Sequence, residues 1–196
     1  MSKMLAVVFP GIGYHGDKPL LYYSSRLARK YGYEIKCAEY GPLPSGVKGD
    51  AKKMYNAYEL ALESVSRQFR EVDFSSYRRV LFLSKSMGTA VAATFDAENK
   101  IGAGHVFYTP VEASFRDMGS RGIVFHGTAD DWAETDAIRR ECEKRGLPLF
   151  LTKNANHSME TGDVLRDLEI MREIMQETEG YIEAFTRGYT YPMKVL

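Results

Sequence analysis

Residues 79–94 read RVLFLSKSMGTAVAAT, and this stretch decides the fold expected for the whole chain. Val80 to Leu83 is a short apolar run, which is typical of a parallel strand buried on both faces. Residues 88–94 are small and compatible with a helix. Between them Ser86 stands where a strand turns directly into a helix, a position that strains the backbone, often with positive φ. The segment therefore predicts a nucleophilic serine at the carboxyl edge of a parallel sheet.

A serine in such a turn also has a simpler interpretation, as a loop residue that caps the following helix. The pattern S-x-S-x-G is short, so other parts of the chain have to decide between a nucleophilic serine and a capping serine. The strained turn leaves no room for bulk two positions before or after the nucleophile. Ser84 and Gly88 occupy those positions, and both are small.

Composition indicates one globular domain spanning residues 1–196. Hydrophobic residues make up 44% of the chain, and the formal net charge is zero. There is no basic surplus of the kind that favours nucleic acid or an anionic membrane as a partner. No apolar run is long enough to span a membrane, and the first residues lack a signal-peptide pattern. Cys37 and Cys142 are isolated, which favours reduced thiols in a cytoplasmic protein.

Predicted strands and helices alternate along the chain. The predicted strands are 5–9, 33–39, 80–83, 104–108, 123–126 and 149–152. Helices are predicted after an N-cap at Asp17, over 50–72, from Ser86 to about 98, and over 133–145. A last helix, expected to run past Gly180, carries apolar residues at helical spacing, namely Val164, Leu168, Met171, Met175, Ile182 and Phe185. The fold class is thus α/β, a three-layer αβα sandwich whose doubly wound, mostly parallel sheet has about six strands.

Ligands of open α/β sheets bind outside the carboxyl ends of the strands. Three loops there supply the groups of an acyl-transfer site in chain order: Ser86 in SKSMG, Asp130 and Asp131 in HGTADD, and His157 in NANH. Acyl transfer needs a nucleophile, a base that accepts its proton and an acid that orients the base. A histidine suits the base because its pKa lies near neutrality. The loops therefore predict a Ser-His-Asp triad.

These loops resemble the nucleophile elbow, acid loop and histidine loop of the α/β-hydrolase fold family, and PGIG at 10–13 resembles its oxyanion loop. The resemblance covers about residues 5–175 and implies the strand order 2-1-3-4-5-6. It departs at Ser84, where the family pattern has glycine. The chain also has no room for the large cap that many members insert after the fourth strand, and the two N-terminal strands of larger members are missing. The resemblance thus implies a minimal, cap-less member.

The resemblance also implies roles for single residues. The family spacing G-x-x-D makes Asp130 the acid of the triad. Asp131 is the alternative acid, or else the N-cap of a helix that starts near Trp132. Glu112 is a third candidate, because some members place the acid on an earlier strand.

The predicted oxyanion hole consists of backbone N–H groups, from Met87 and from Ile12, with Gly13 second to Ile12. Candidate pocket walls are Tyr14, Met87, Phe115 and Trp132, and His15 is either a substrate contact or a solvated loop residue. Of the other histidines, we expect His105 in the core and His126 in the hydrogen bonding of the acid loop. Lys85 is expected to point away from the pocket, with a role as second base as the alternative.

The resemblance implies a carboxylesterase-like serine hydrolase that cleaves small or short-acyl esters. Alternatives are a thioesterase, peptidase or acyltransferase that uses the same triad, or a non-catalytic ligand-binding member. No metal or organic cofactor is implied. The expected partner is a small-molecule ester, with neither nucleic acid nor a membrane, and the chain is expected to be a monomer or a homodimer.

Overall fold

The strands form one parallel sheet in a computed structural model that describes residues 3–191. Its order is β2-β1-β3-β4-β5-β6, and every neighbouring pair is parallel. The strands are β1 Met4–Phe9, β2 Glu34–Cys37, β3 Arg79–Lys85, β4 Gly104–Tyr108, β5 Gly122–Gly127 and β6 Leu149–Thr152. The predicted order is confirmed, although β2 is shorter than the predicted 33–39.

Helices cover both faces of this sheet. They are α1 Pro19–Lys30, α2 Ala51–Gln68, α3 Met87–Asn99, α4 Thr135–Arg145 and α5 Val164–Arg187. Helices α1 and α5 pack with Ala6 and Val8 of β1 on one face, and α2 and α3 pack with Val7 on the other. Helix α4 covers Phe107 and Val124, on the same side as α2 and α3. The three-layer architecture follows from strands that are apolar on both faces.

Two helix starts differ from expectation. Helix α1 begins at Pro19 with Lys18 as its N-cap, so the predicted cap at Asp17 is wrong. Proline at the first helical position sets the start one residue later, because its ring already has the helical φ. Helix α2 has the expected cap: the Asp50 carboxylate accepts from Lys53 N–H at 2.9 Å, although the helix ends at Gln68 rather than near residue 72.

Helix α5 runs through Gly180 as predicted, but its buried face differs from the predicted stripe. Val164 and Leu168 are 72% and 63% exposed, and Ile170 and Ile174, which the predicted stripe leaves out, are buried, while Ile182 is buried as predicted. The shared core with α1 begins at Ile170, so the first turns of α5 extend beyond it. Spacing alone could not show where that core starts.

The described part of the tail lies away from the carboxyl ends of the strands. Gly188 ends α5 in a left-handed conformation, and the hydroxyl of Tyr191 donates to Glu177 of the same helix. Tyr189 and Tyr191 line a cleft with Val80 and Gly122, at the amino-terminal ends of β3 and β5. Residues 1, 2 and 192–196, which the expected domain includes, lie outside the described range. Between residues 3 and 191 no helix is long and apolar enough to cross a membrane.

Candidate active site

Ser86 lies in the turn that joins β3 to α3. Its backbone has φ 55° and ψ −128°, so the positive φ expected from the sequence is present. A non-glycine residue in this region is strained, and the surrounding bonds have to hold it there. Ser86 N–H donates to Tyr108 O at 3.0 Å, and Ser86 O accepts from Thr89 N–H at 2.9 Å. The turn is thereby fixed to β4 on one side and to α3 on the other.

The structure accounts for the two small residues around Ser86 in different ways. A Cβ on Gly88 would lie 2.3 Å from Pro10 O, so glycine lets the first turn of α3 pack against the end of β1. Ser84 is fully buried, and its hydroxyl donates to Val106 O at 3.2 Å. The departure from glycine at 84 is therefore accommodated by an acceptor on the neighbouring strand.

Ser86, His157 and Asp130 form a continuous chain of hydrogen bonds. His157 Nε2 lies 2.7 Å from Ser86 Oγ, and His157 Nδ1 lies 2.8 Å from Asp130 Oδ2. The Asp130 side chain is fully buried, and its Oδ1 accepts from Trp132 N–H at 2.8 Å. A carboxylate beside Nδ1 fixes the proton there, which leaves the lone pair of Nε2 facing the serine hydroxyl.

Burial keeps the His157 imidazole neutral. Desolvation lowers the pKa of His157 from its ordinary value, and the hydrogen bond that His157 donates to Asp130 acts in the opposite direction. Lys85 also lowers the pKa of His157, through charge repulsion. A neutral imidazole can accept the proton of the serine hydroxyl, so the arrangement has the protonation state that a general base needs.

Backbone contacts hold the acid loop against the histidine loop. A Cβ on Gly127 would lie 2.2 Å from Ala155 O, and Ala129 N–H donates to that same oxygen at 2.9 Å. The hydroxyl of Thr128 accepts from Asn154 N–H at 2.9 Å. These contacts fix the distance between the two loops that carry Asp130 and His157.

The loop after β1 approaches Ser86 closely. Gly11 and Tyr14 exchange backbone hydrogen bonds of 3.0 and 3.1 Å, which close a tight turn with Ile12 and Gly13 at its tip. A Cβ on Gly11 would lie 3.0 Å from the Cβ of Ser86. Within the described chain, the N–H groups of Ile12 and Met87 donate to no backbone acceptor. No backbone carbonyl of the described chain therefore competes for either amide.

Comparison with solved structures identifies the fold. A protein of unknown function from Agrobacterium tumefaciens, assigned to the α/β hydrolases, matches with a TM-score of 0.66 and 18% identity, over 97% of this chain and 89% of that one. A Pyrococcus furiosus esterase matches with a TM-score of 0.62 and 13% identity, over 94% and 84%. A Xanthomonas campestris α/β serine hydrolase without a lid matches with 0.54 and 13%, over 89% and 80%.

The chain has the α/β-hydrolase fold. No protein-family model matches the sequence, and no curated protein matches it either. The likeness lies in the three-dimensional arrangement, as expected where identity is this low. The α/β-hydrolase fold brings the loops after β3, β5 and β6 together at one edge of the sheet.

The alternative acids lie elsewhere in this α/β-hydrolase fold. Asp131 is exposed and forms an ion pair with Lys48, and that pairing lowers the pKa of Asp131. The prediction that Asp131 caps the next helix is wrong, because α4 starts at Thr135 with Glu134 as N-cap. Glu112 is exposed at the start of a short 3₁₀ helix, Glu112–Arg116. In the structure only Asp130, of these three, hydrogen-bonds His157.

The other histidines of the α/β-hydrolase fold have partners of their own. His105 is buried, as predicted, with Nε2 2.8 Å from Asp96 Oδ2. His126 is buried under the acid loop, with Nε2 3.1 Å from Thr135 Oγ1 and Nδ1 3.7 Å from Asp130 Oδ2. The side chain of His15 is 66% exposed, with Nδ1 3.8 Å from Asp17.

The four residues predicted to form the pocket walls lie in different environments. Trp132 stacks on the His157 imidazole, with ring centroids 5.2 Å apart and an interplanar angle of 23°. Tyr14 is buried, and its hydroxyl accepts from Leu20 N–H at 3.1 Å. Met87 is buried in the core under α2, and Phe115 is buried in the cluster beside α4. Of these four, Trp132 contacts the candidate triad directly.

Two features of the site were not expected from the sequence. Thr109, after β4, has φ 41°, and its hydroxyl donates to His157 O at 3.0 Å. Lys85 is 1% exposed, and burial lowers the pKa of its amine to about 7, against the attraction of Asp130. The position of Lys85 next to Ser86 was the available signal, but the sequence of a strand does not reveal which other segment will cover a side chain.

Proposed function

We propose that this chain is a serine hydrolase that cleaves small or short-acyl carboxylic esters. Ser86 is the nucleophile, His157 the general base and Asp130 the acid that orients the imidazole. The observation that carries the proposal is the continuous chain of hydrogen bonds, 2.7 Å from Ser86 to His157 and 2.8 Å from His157 to Asp130. The strained backbone of Ser86 at the end of β3 supports it.

In the acylation step, Ser86 Oγ attacks the ester carbonyl carbon while His157 Nε2 accepts the hydroxyl proton. The carbonyl π electrons move to oxygen, and the N–H groups of Met87 and Ile12 bind the resulting oxyanion. Donors of this kind are worth about 3–4 kcal/mol each in the transition state. The intermediate collapses, the imidazolium protonates the leaving alkoxide, and the alcohol departs. An acyl-enzyme on Ser86 remains.

In the deacylation step, His157 takes a proton from water as the water oxygen attacks the acyl carbon. The same two amides bind the second oxyanion. When this intermediate collapses, Ser86 Oγ leaves and regains its proton from His157, and the carboxylic acid is released. Asp130 accepts the Nδ1 hydrogen bond throughout, and it stabilises the imidazolium in both steps without taking the proton.

The short connection after β4 supports a small substrate. Where larger members carry a cap, this chain has the 3₁₀ helix Glu112–Arg116, whose Phe115 packs in the core beside α4. Ser114 of the same segment hydrogen-bonds Thr89 of α3 at 2.6 Å. The segment is thus anchored to α3. An esterase and a lidless serine hydrolase among the similar structures also support ester cleavage at an open site.

Labelling with a fluorophosphonate probe tests the nucleophile. We expect the probe to form a covalent adduct with the wild type, and the Ser86→Ala variant to remain unlabelled. The matched control is Ser158→Ala, which removes the serine that follows His157 and hydrogen-bonds through its backbone to Asn156. Labelling of the wild type and the Ser86→Ala variant to the same extent would overturn the proposal, as would an unlabelled wild type.

A panel of chromogenic esters graded by acyl length tests the substrate class. The proposal expects the highest kcat/KM for the shortest acyl chains and a steady decline with length. A thioester and a peptide anilide in the same panel separate the ester reading from thioesterase and peptidase activity, which the same triad could support. A maximum on either of those two substrates would replace the ester in the proposal.

A further inference from the structure

His126 is a fully buried histidine near the end of β5, beneath the acid loop. It lies on the same face of the strand as Val124, which packs against α4. Its Nε2 is 3.1 Å from the hydroxyl oxygen of Thr135, the first residue of α4. Its Nδ1 is buried and has no hydrogen-bond partner among residues 3–191. Most buried polar atoms in folded proteins are hydrogen-bonded, so the surroundings of this nitrogen have to account for it.

The carboxylate of Asp130 lies beside that nitrogen. The distance from His126 Nδ1 to Asp130 Oδ2 is 3.7 Å, and both side chains are 0% exposed. The turn of the acid loop produces this contact, because Asp130 N–H donates to Gly127 O at 3.0 Å and folds the chain back over the end of β5. Oδ2 is also the oxygen that lies 2.8 Å from His157 Nδ1. One carboxylate oxygen of the candidate triad is therefore adjacent to two imidazoles.

The two neutral forms of His126 differ in how well they suit this environment. With the proton on Nδ1, the positive end of the N–H dipole lies beside the carboxylate, and the bare Nε2 accepts the Thr135 hydroxyl. With the proton on Nε2, the lone pair of Nδ1 would lie 3.7 Å from a negative charge in a site without solvent. Such repulsion is strong where the local dielectric constant is low. The surroundings therefore favour the form that is protonated on Nδ1.

We propose that His126 is a positioning residue of the site, which keeps its proton on Nδ1 and presents this N–H to Asp130 Oδ2, so that it stabilises the buried carboxylate without adding a charge. The inference rests on the proposed function, since it concerns the acid of the same triad. A separation of 3.7 Å is longer than a hydrogen bond, so the N–H acts on the carboxylate as a dipole. It adds to the N–H groups of Trp132 and His157, which hydrogen-bond the same carboxylate.

This dipole affects how tightly His157 binds a proton. The negative charge of Asp130 stabilises the His157 imidazolium, and the N–H of His126 offsets part of that negative charge. His157 therefore holds a proton less tightly than it would above an apolar residue. The consequence is that the neutral imidazole, which can accept the Ser86 proton, persists to a lower pH.

The other ionisable groups around His126 do not supply the same effect. Burial lowers the pKa of His126 itself, against the attraction of Asp130, which favours the neutral ring. From α4, burial raises the pKa of Cys142 to about 12, so its thiol stays neutral. Glu134 and Asp136 on either side of Thr135 are exposed to solvent, which screens them. The charges that act on the carboxylate and its imidazole partners come from His157 of the histidine loop and Lys85 of β3.

Nitrogen NMR of the imidazole rings tests the proposal on the wild-type protein, without relying on catalysis. A protonated ring nitrogen and a bare one differ in chemical shift, so the spectrum reports the tautomer. The chain has four histidines, and a His126→Asn variant identifies the signals of His126. At pH 7 we expect Nδ1 of His126 to carry the proton and Nε2 to be bare. The opposite tautomer, or a doubly protonated ring, overturns the proposal.

Two substitutions at position 126 separate the N–H group from the bulk of the side chain. His126→Asn keeps an uncharged N–H donor, and His126→Leu has none. The pKa of His157 is measured by proton NMR in Ser86→Ala protein and after each substitution is added to it. We expect His126→Leu to raise the proton affinity of His157 about three- to tenfold, and His126→Asn to change it by less than about twofold. An unchanged affinity in the leucine variant, or an equal rise in both variants, overturns the proposal.

A matched control is His105→Leu, which also removes a buried imidazole beside a carboxylate. His105 Nε2 lies 2.8 Å from Asp96 Oδ2, near the amino-terminal end of β4 and away from the triad. This variant should leave the proton affinity of His157 unchanged. A rise as large as that of His126→Leu would attribute the effect to lost packing and overturn the proposal.

Activity gives a further readout. In His126→Leu protein, the fall of kcat/KM on the acid side should move to higher pH by the amount found by NMR, and His126→Asn should keep the wild-type position. A uniform loss of kcat/KM at all pH values, with the acid limb in place, would indicate a packing role and overturn the proposal. If the wild type cleaves no ester, the proposed function fails, and the tautomer of His126 and the proton affinity of His157 still decide the role of His126.

Discussion

Gly127 and Ala155 are in direct backbone contact: a Cβ on Gly127 would lie 2.2 Å from the carbonyl oxygen of Ala155. The contact joins the end of β5 to the histidine loop, three residues before Asp130 and two before His157. No side chain larger than hydrogen fits there without moving one of the two loops. The distance between the Asp130 and His157 side chains therefore depends on a glycine that has no side chain of its own.

Gly127→Ala is expected to lower both activity and stability. Separating the loops by about 1 Å should reduce kcat by about 10²-fold, and the strain should lower the free energy of unfolding by about 3 kcal/mol. Ester kinetics and urea unfolding measure the two effects. Gly119→Ala is the control, since a Cβ there has no atom within 4 Å and should change neither. A fully active Gly127→Ala variant would contradict the argument.

Exchanging each loop acid separately tests the choice of Asp130. Asp130→Asn should reduce kcat by about 10⁴-fold, because an amide cannot hold the imidazole in the required tautomer and charge state. Asp131→Asn removes an exposed ion pair with Lys48 and should leave kcat within about twofold. Ester kinetics at a fixed pH distinguish them. An active Asp130→Asn protein beside an inactive Asp131→Asn protein would reverse the assignment.

The pH dependence of kcat/KM should follow the ionisation of His157. The reaction needs the neutral imidazole, and burial sets the pKa of His157 below its ordinary value of 6.5. The value of kcat/KM should therefore fall as the pH drops through a midpoint below 6.5. At pH values well above that midpoint it should be constant. Initial rates from pH 4 to 8 at low substrate concentration give this midpoint. A midpoint above 6.5 would show that the imidazole prefers its charged form in the free enzyme.

Lys85→Met is expected to stabilise the fold at pH 7. The pKa of Lys85 is about 7 in the folded chain, against 10.5 for the unperturbed group. The unfolded chain therefore binds the proton more tightly, which opposes folding by at most about 4 kcal/mol at pH 7. The penalty is complete below pH 7, and it declines as the pH rises towards 10.5. Urea unfolding at pH 7 and pH 10 should show a large gain for the variant at pH 7 and a smaller one at pH 10. An equal gain at both would assign the effect to packing alone.

The parts of the site that follow from topology could be predicted. Ser86 directly follows β3, Asp130 and His157 lie in the loops after β5 and β6, and parallel strands place their carboxyl ends at one edge. Apolar runs and turn residues are local signals, so the strands and the three loops followed from them, while the strand order came from the resemblance to the α/β-hydrolase fold.

Features that depend on contacts between distant segments could not be predicted. Lys85 is buried because the loop that carries Tyr14 folds over it. The sequence of β3 alone does not indicate this burial. Asp131 faces Lys48, which is far away in the chain, instead of capping α4. Leu168 has the right helical spacing, yet it lies beyond the core that begins at Ile170. In each case, a partner remote in sequence decides the outcome.

The hydrogen bond from Ser84 to Val106 changes the requirement for a turn of this kind. The position two before the nucleophile needs a small side chain, and a hydroxyl is tolerated where the adjacent strand offers it a carbonyl oxygen. A search motif that insists on glycine there passes over such chains. A motif that admits serine there, and requires a parallel strand beside it, would find further chains of this fold from their sequences.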